Sequence, residues 1–499
     1  MKKEVNEEIK RLAGSPPLVT ILKLMVGPLC SQVTSTLYGI INTIWVSKYI
    51  GETGMAAVAT DIAWEGIARA FGLFLLTSAS TQISALFGKK QFDECEQVVC
   101  DLLRTAVIFG CIVPAILLPI NKPLSCWFGA NEQTVQGAYD YMLPQCAGNV
   151  FTCIFLANCG FLQAEGRTLL VGCIDIIALG IGMGALNPLF LGVFKWGVVG
   201  PSISTIIADG VPGVTLTILY FAGRFGVKPK LSGFLKPFSK HTINSLLVGS
   251  SQFMSQVSMC IPGIIVRKLI GMSVTSSTEY DLAMSGFNVL CRYGNITNCV
   301  VLAFCSGYLP PASYAYAAEK WKRYLKLSLH LVWVSAFWCI VTTIFPIFLP
   351  VQISLLFGNG DDYLRYSSSM LKASNECGWI LFTRFTFQTM LQAQQRGTRA
   401  MIISFTSNLV AVIAFSFILY YTNKNDVARF MYVYPISYSI GCVLGITLLF
   451  KPFLDVIKLA RSDSKEKKLE DIDEKNSEDK YSSTSSDNGN DECRMISEL

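Results

Sequence analysis

The feature that most limits this chain is a succession of apolar stretches, each long enough for a helix to cross a bilayer. A span needs roughly 20 apolar residues, because a helix rises about 1.5 Å per residue and the hydrocarbon core is about 30 Å thick. Such stretches are readable at 18–46, 55–82, 101–120, 137–163, 168–192, 198–222, 241–270, 282–307, 325–349, 366–391, 400–421 and 428–450. Charged residues make up only 15% of the 499 residues, against about 25% in soluble domains. In hydrocarbon every backbone amide must find its partner inside its own segment, so runs of this length are helices. The expected fold is all-α and integral to the membrane, with the lipid bilayer itself as a partner. The first residues are charged and the first apolar stretch is full helix length, so no cleavable signal peptide is expected.

Charge placement gives an orientation. Loops after the even-numbered spans carry fourteen bases, among them Lys89, Lys90, Arg224, Lys228, Lys230, Lys236, Lys320, Lys322 and Arg323, against eight in the alternate loops. Basic loops stay on the cytosolic side. Both termini are therefore expected in the cytosol, which requires an even number of spans. Which membrane holds the protein is left open. The net charge of +6 is an orientation signal and implies no nucleic-acid partner. The 17 cysteines are scattered without a CxxC pair and read as small reduced packing residues.

The chain repeats itself. Phe128-Gly129 recurs as Phe357-Gly358 and Leu162-Gln163-Ala164 as Leu391-Gln392-Ala393, both 229 residues on. Ser31-Gln32-Val33 recurs as Ser255-Gln256-Val257 and Gly39-Ile40-Ile41 as Gly263-Ile264-Ile265, both 224 on. Ordered matches at a near-constant offset mark an internal duplication. Six spans per copy gives two halves of the same topology, a recurrent transporter design. The expected organisation is a cytosolic N-terminus (1–17), a six-helix lobe (18–222), a basic inter-lobe loop (223–240), a second six-helix lobe (241–450) and a cytosolic, mostly disordered tail (451–499). Residues 1–12 are expected to form a short amphipathic surface helix.

Ionisable residues inside spans are costly and default to function. Asp61, Glu65 and Arg69 lie four residues apart on one face of the second span, with Glu65 roughly 15 Å inside it. The face is either a protonatable, cation-attracting site or a closed Glu65–Arg69 ion pair holding the bundle. Asp175, Asp209 and Glu376 are further acids within spans, and Arg292 and Arg384 are available cations. Polar residues such as Tyr38, Asn42, Asn187, Thr205 and Gln256 are candidates for a binding surface, although many such residues only join helices. No P-loop, HExxH, GxSxG or metal-ligand spacing is present. The chain is expected to be no enzyme, to hold no metal or cofactor, and to be no ATP-driven pump.

The stretch Leu37-Tyr38-Gly39-Ile40-Ile41-Asn42-Thr43-Ile44-Trp45-Val46, followed by Gly51 and Ala56-Ala57-Val58-Ala59, resembles the first two helices of the multidrug and toxic compound extrusion family. Asn187-Pro188-Leu189-Phe190, Trp196-Gly197-Val198-Val199-Gly200 and Ser204-Thr205 resemble a second family signature. Gln163-Ala164-Glu165-Gly166 and Gly307-Tyr308-Leu309-Pro310-Pro311-Ala312-Ser313-Tyr314 resemble two more, and the likeness runs from about 18 to 450. The resemblance implies twelve helices in two pseudo-symmetric lobes that rock to alternate access. It implies a monomeric exporter of organic, often cationic, compounds or xenobiotics, working as a proton or sodium antiporter. A lipid or lipid-linked sugar flippase of the same superfamily is the alternative, and a receptor or scaffold with the tail as its output is a more distant one.

The chain departs from the family pattern at several of its polar positions. The family's first-helix aspartate falls at Asn42, the aspartate of its DP motif at Asn187, and the asparagine before that at Met183. Ser255 and Gln256 stand where some branches carry a seventh-helix acid. The tenth-helix acid would fall near Leu381, with Glu376 close but displaced. An asparagine can ligate a cation through its carbonyl but cannot take up a proton. Coupling is expected to move to Asp61, Glu65 or Asp175. The candidate substrate and ion site is thus Tyr38, Asn42, Asp61, Glu65, Asp175, Asn187, Thr205, Gln256 and Glu376.

Overall fold

The computed structural model describes residues 2–127, 132–274, 276–423 and 426–463. Phe128-Gly129 and most of the expected tail lie outside the described residues. After a short α1 (Lys2–Ala13), the first lobe runs through α2 (Pro17–Tyr49), α3 (Glu52–Gly88), α4 (Phe92–Trp127), α5 (Glu132–Ala147), α6 (Asn149–Ala164), α7 (Thr168–Leu179) and α8 (Val199–Phe221). The second lobe comprises α9 (Lys240–Ser273), α10 (Ser277–Ala317), α11 (Trp321–Phe348), a short α12 (Pro350–Leu355), α13 (Asp361–Asn375), α14 (Phe382–Ala393), α15 (Gly397–Ser404), α16 (Val412–Thr422), α17 (Val427–Phe430) and a final helix over 433–463. No strand occurs among the described residues.

Among the described residues ten helices are long and apolar enough to cross a membrane, and α5 and α6, bent by 52° at Gly148, make eleven when taken together as one broken span. The stretch expected at 366–391 is interrupted. It consists of α13, of 15 residues, and α14, of 12, separated by a 3-10 turn at Gly378–Ile380. Either piece alone is too short to span. The final helix continues through Asp463, past the expected end at 450. Several helices outrun their apolar cores in this way, because a helix can continue through the headgroup layer with polar turns. The protein is a multi-pass membrane protein. Large apolar side chains such as Ile176, Ile177, Ile218, Phe337 and Ile340 are exposed on its perimeter, where lipid replaces water as the solvent.

The duplication is geometric as well as sequential. Left-handed turns occur at Lys90 (φ 59°) and Glu319 (φ 56°), and at Gly166 (φ 73°) and Gln395 (φ 59°). Both pairs are 229 residues apart, the offset of the Leu-Gln-Ala repeat. Between lobes, α2 packs on α10 and α3 on α9. The first helix of each lobe thus meets the second helix of the other, the reciprocal pairing that a two-fold relation demands. Within lobes, α2 crosses α7 and α9 crosses α15. Both crossings need glycine: a Cβ on Gly27 would stand 1.8 Å from the Thr168 carbonyl oxygen, and one on Gly397 would stand 2.1 Å from that of Leu247. A π-helical segment interrupts the fifth span at Gly180–Leu186 and the eleventh at Phe405–Ala411.

The lobes are tied at the end carrying the basic loops. Gln395 Nε2 donates to the Thr81 carbonyl (3.3 Å), and Arg323 Nη2 donates to the Leu12 carbonyl (3.0 Å). The expected surface helix is therefore docked, with Glu8 and Leu12 buried. The sixteen described cysteines are free thiols.

Candidate functional site

Each lobe holds a cavity. The first, of about 400 Å³, is built by α2, α3, α6, α7 and α8 and closed by residues of α9, α10 and α14. The second, of about 950 Å³, lies among α9, α10, α13, α14, the second π segment and the final helix. Gln256 lines both, so the two spaces adjoin at the lobe interface.

The first cavity carries three carboxylates, Glu65, Asp175 and Asp209, and one guanidinium, Arg69. Arg69 sits between carboxylates because α3 presents residues four apart on one face. Its Nη1 lies 3.8 Å from Asp209 Oδ2. The same oxygen accepts a hydrogen bond from the Thr152 hydroxyl at 2.9 Å. Of the two readings of that face, the closed Glu65–Arg69 pair is not the one found: among the described residues Arg69 pairs with Asp209, because α8 brings its acid across to α3. Asp209 was recognisable only as one of several acids within spans. Its signal was its position one helical turn after Thr205, on the same face.

Beside the charged group lie two neutral hydrogen-bonded sets. Tyr38 and Thr205 pair through their hydroxyls. Asn42 Nδ2 donates to Tyr141 Oη (3.1 Å), and Asn187 Nδ2 donates to Asn42 Oδ1 (3.3 Å). Asn187 is fully buried, and its own Oδ1 has no hydrogen-bond partner among the described residues. The two positions where the resembled family carries acids therefore hold each other as amides. The tyrosine, Asn42 and Thr205 line the cavity, and Asn187 stands directly behind them.

Two sequence candidates lie elsewhere. Asp61 does not line the cavity. It is buried against α4, accepting from Asn121 Nδ2 at 3.0 Å. One turn along α3, where Glu65 faces the cavity, the helix turns Asp61 toward a different neighbour. Glu376 is exposed rather than buried: it sits at the interruption between α13 and α14 and accepts from the Tyr432 hydroxyl at 2.9 Å. A broken span places a polar residue at a surface that a continuous helix would have buried. Arg292 is likewise exposed. Arg384 is buried in the second cavity.

The comparisons with known proteins agree with this geometry. The MatE family profile matches residues 29–188 and 257–418, one segment in each lobe and together well over half of the chain. The multidrug export protein MepA of Staphylococcus haemolyticus is 21% identical over 398 residues, 78% of this chain and 84% of that protein. Its Staphylococcus aureus counterpart is 21% identical over 412 residues, 82% and 88%. Among solved structures, a MATE transporter in its bent conformation superposes with a TM-score of 0.79 at 19% identity, covering 92% of this chain and 99% of that one. A MOP-superfamily transporter from Pyrococcus furiosus, described as having a binding pocket of reverse polarity, gives 0.78 at 20%, covering 91% and 98%. With the profile matched in both halves of a duplicated twelve-stretch chain, this protein belongs to the MatE family of membrane transporters.

Proposed function

We propose that the protein is a secondary active exporter of organic cations, working by alternating access as a proton or sodium antiporter. One observation carries this reading: three carboxylates face a single guanidinium in the first-lobe cavity. With all three ionised the cavity holds two uncompensated negative charges in a low-dielectric interior, where an isolated charge is expensive. A cation or protons must balance them, and the two compete. A flat organic cation entering the cavity neutralises the carboxylates. Protons arriving from the other side displace it, and their release resets the site. Arg69 keeps one acid permanently matched, so that exchange falls on the rest. Asn42 and Asn187 cannot take up a proton, which puts coupling on Glu65 and Asp175, with Asp209 holding Arg69 in place. The MepA relatives are named multidrug export proteins, which supports efflux of chemically varied substrates.

The lobes meet at the end bearing the basic loops, through Thr81, Gln395 and Arg323. The test is uptake of a fluorescent organic cation into proteoliposomes under an imposed proton or sodium gradient, with Glu65→Gln and Asp209→Asn compared with the native protein. Gradient-driven uptake that survives both changes would refute the assignment.

A further inference from the structure

We propose that the second-lobe cavity is a binding site for organic anions, molecules with a carboxylate, sulfonate or phosphate group on an apolar or aromatic body. This is independent of the cation reading, because it rests on different residues in a different lobe.

The cavity, of about 950 Å³, is large enough for a drug-sized molecule. Arg267, Lys268 and Arg384 line it, and no Asp or Glu does so among the described residues. Its polarity is thus the reverse of that of its neighbour. Arg384 is more than nine-tenths buried. Burying a guanidinium is costly unless a charge or a full set of hydrogen bonds compensates it. Arg384 has neither: Nη1 donates to Asn408 Oδ1 at 2.9 Å, while Nε is buried without a partner. It makes no ion pair among the described residues. The remaining contacts of its guanidinium are the faces of Phe385 (4.6 Å) and Tyr438 (5.0 Å). Arg267, at the far end of α9, lies 5.7 Å from the Phe287 ring and makes no ion pair among the described residues. A planar guanidinium lying over aromatic rings, with an unpartnered Nε and no carboxylate against it among the described residues, matches the charge and shape of an oxyanion. The rings of Phe287, Tyr434 and Tyr438, which line the same space, suit the apolar body of such a ligand.

Asn408 holds Arg384 in place from the second π-helical segment, a local irregularity that recurs at functional sites. The lone amide oxygen can orient the guanidinium without neutralising it. Polar but uncharged Asn295, Asn298 and Gln256 supply further hydrogen-bonding groups around the wall.

The test uses full-length protein in a non-ionic detergent and carboxyfluorescein, an aromatic polycarboxylate, read by fluorescence anisotropy. The native protein is expected to bind it saturably. Arg384→Gln and Arg267→Gln are each expected to weaken binding roughly tenfold or more, the scale of a lost charge-assisted hydrogen bond. Glu65→Gln, in the other cavity, is expected to change it less than twofold. Arg267 is exposed, so its variant remains informative if Arg384→Gln does not yield monodisperse protein. Competition by dihexanoyl phosphatidic acid but not by glycerol phosphate would identify a lipid as the source of the anion, and the converse a soluble ester. The proposal is overturned if monodisperse native protein shows no saturable binding, or if either monodisperse arginine variant binds within fivefold of native.

Discussion

The two lobes share a scaffold and differ in charge. Positions 229 residues after Glu65, Arg69 and Asp209 are Gly294, Asn298 and Tyr438, and all three line the second cavity. Conversely, Arg384 stands 229 after Phe155, and Arg267 stands 224 after Thr43. The duplication thus carried the position of the cavity and not its electrostatics. Backbone features that close the helices are kept in both copies: the left-handed turns, the π segments and a close helix crossing, whose glycine lies on α2 in one lobe and on α15 in the other. The side chains that would select a ligand are not kept. A fold that rocks two lobes about a shared interface requires the former to match and leaves the latter free.

The largest effect should follow from erasing the charge of one lobe only. The double substitution Glu65→Gln with Asp209→Asn is expected to reduce gradient-driven cation transport to the background of protein-free vesicles. The structure should survive, because both changes are isosteric and Arg69 remains half-exposed. Asp61→Asn, outside the cavity, is expected to retain transport within about threefold, measured in the same vesicles. If it abolishes transport while the double variant does not, the site lies between α3 and α4 instead.

A second comparison sets Glu165 against its counterpart Gln394, 229 residues on. Glu165 lies in the turn after α6, outside the spans. Burial and the nearby Glu8 carboxylate push its carboxyl up to about 8, against opposing help from the Val227 amide and Arg167. Gln394 in the other lobe is a neutral amide that donates to the Tyr324 hydroxyl (2.9 Å). Because the folded state holds the Glu165 proton more tightly than the unfolded chain, its contribution is fully present below about 4.5. It is lost as pH rises through about 8. The thermal midpoint in detergent is expected to fall over that window, and Glu165→Gln to flatten the fall by about 3–5 °C. A variant with the native slope would show that another group sets it.

The smallest effect concerns the matched turns. Gly166→Ala is expected to cost about 1 kcal/mol, from its left-handed backbone, and its Cβ would press on Arg11 Cβ at 3.0 Å. Gln395→Gly should be nearly neutral, since relief of the same strain is offset by loss of the bond to Thr81. Denaturant midpoints of the two variants would check the asymmetry.

Most of the fold was legible because hydrocarbon leaves a chain few options: helix-length apolar runs, basic loops on one side, and a repeat with a fixed offset. The interruption at Gly378 was missed because Glu376 and Arg384 around it read as functional charges inside a span, when, with Lys372, they mark a break in it. The site was legible in part. Glu65, picked out by its spacing, and Asp175, picked out as an acid within a span, line the first cavity, but helical spacing cannot tell which of two faces a neighbour covers, so Asp61 read as part of the same surface. The partnership of Arg69 with Asp209 joins residues 140 apart in sequence, and no local pattern encodes it. The basic second cavity was equally hidden, since Arg267 and Arg384 lie on different helices that only packing brings together.

The central claim is the opposite polarity of the two cavities, and the most direct measurement is a crossed binding experiment on one protein. Affinities for a planar organic cation, ethidium, and an organic anion, carboxyfluorescein, would be measured for native protein, Glu65→Gln and Arg267→Gln. A crossed pattern is expected: the acid variant loses the cation and keeps the anion, and the arginine variant does the reverse. Parallel losses of both probes in both variants would contradict it, since a single mixed site would then account for the whole molecule.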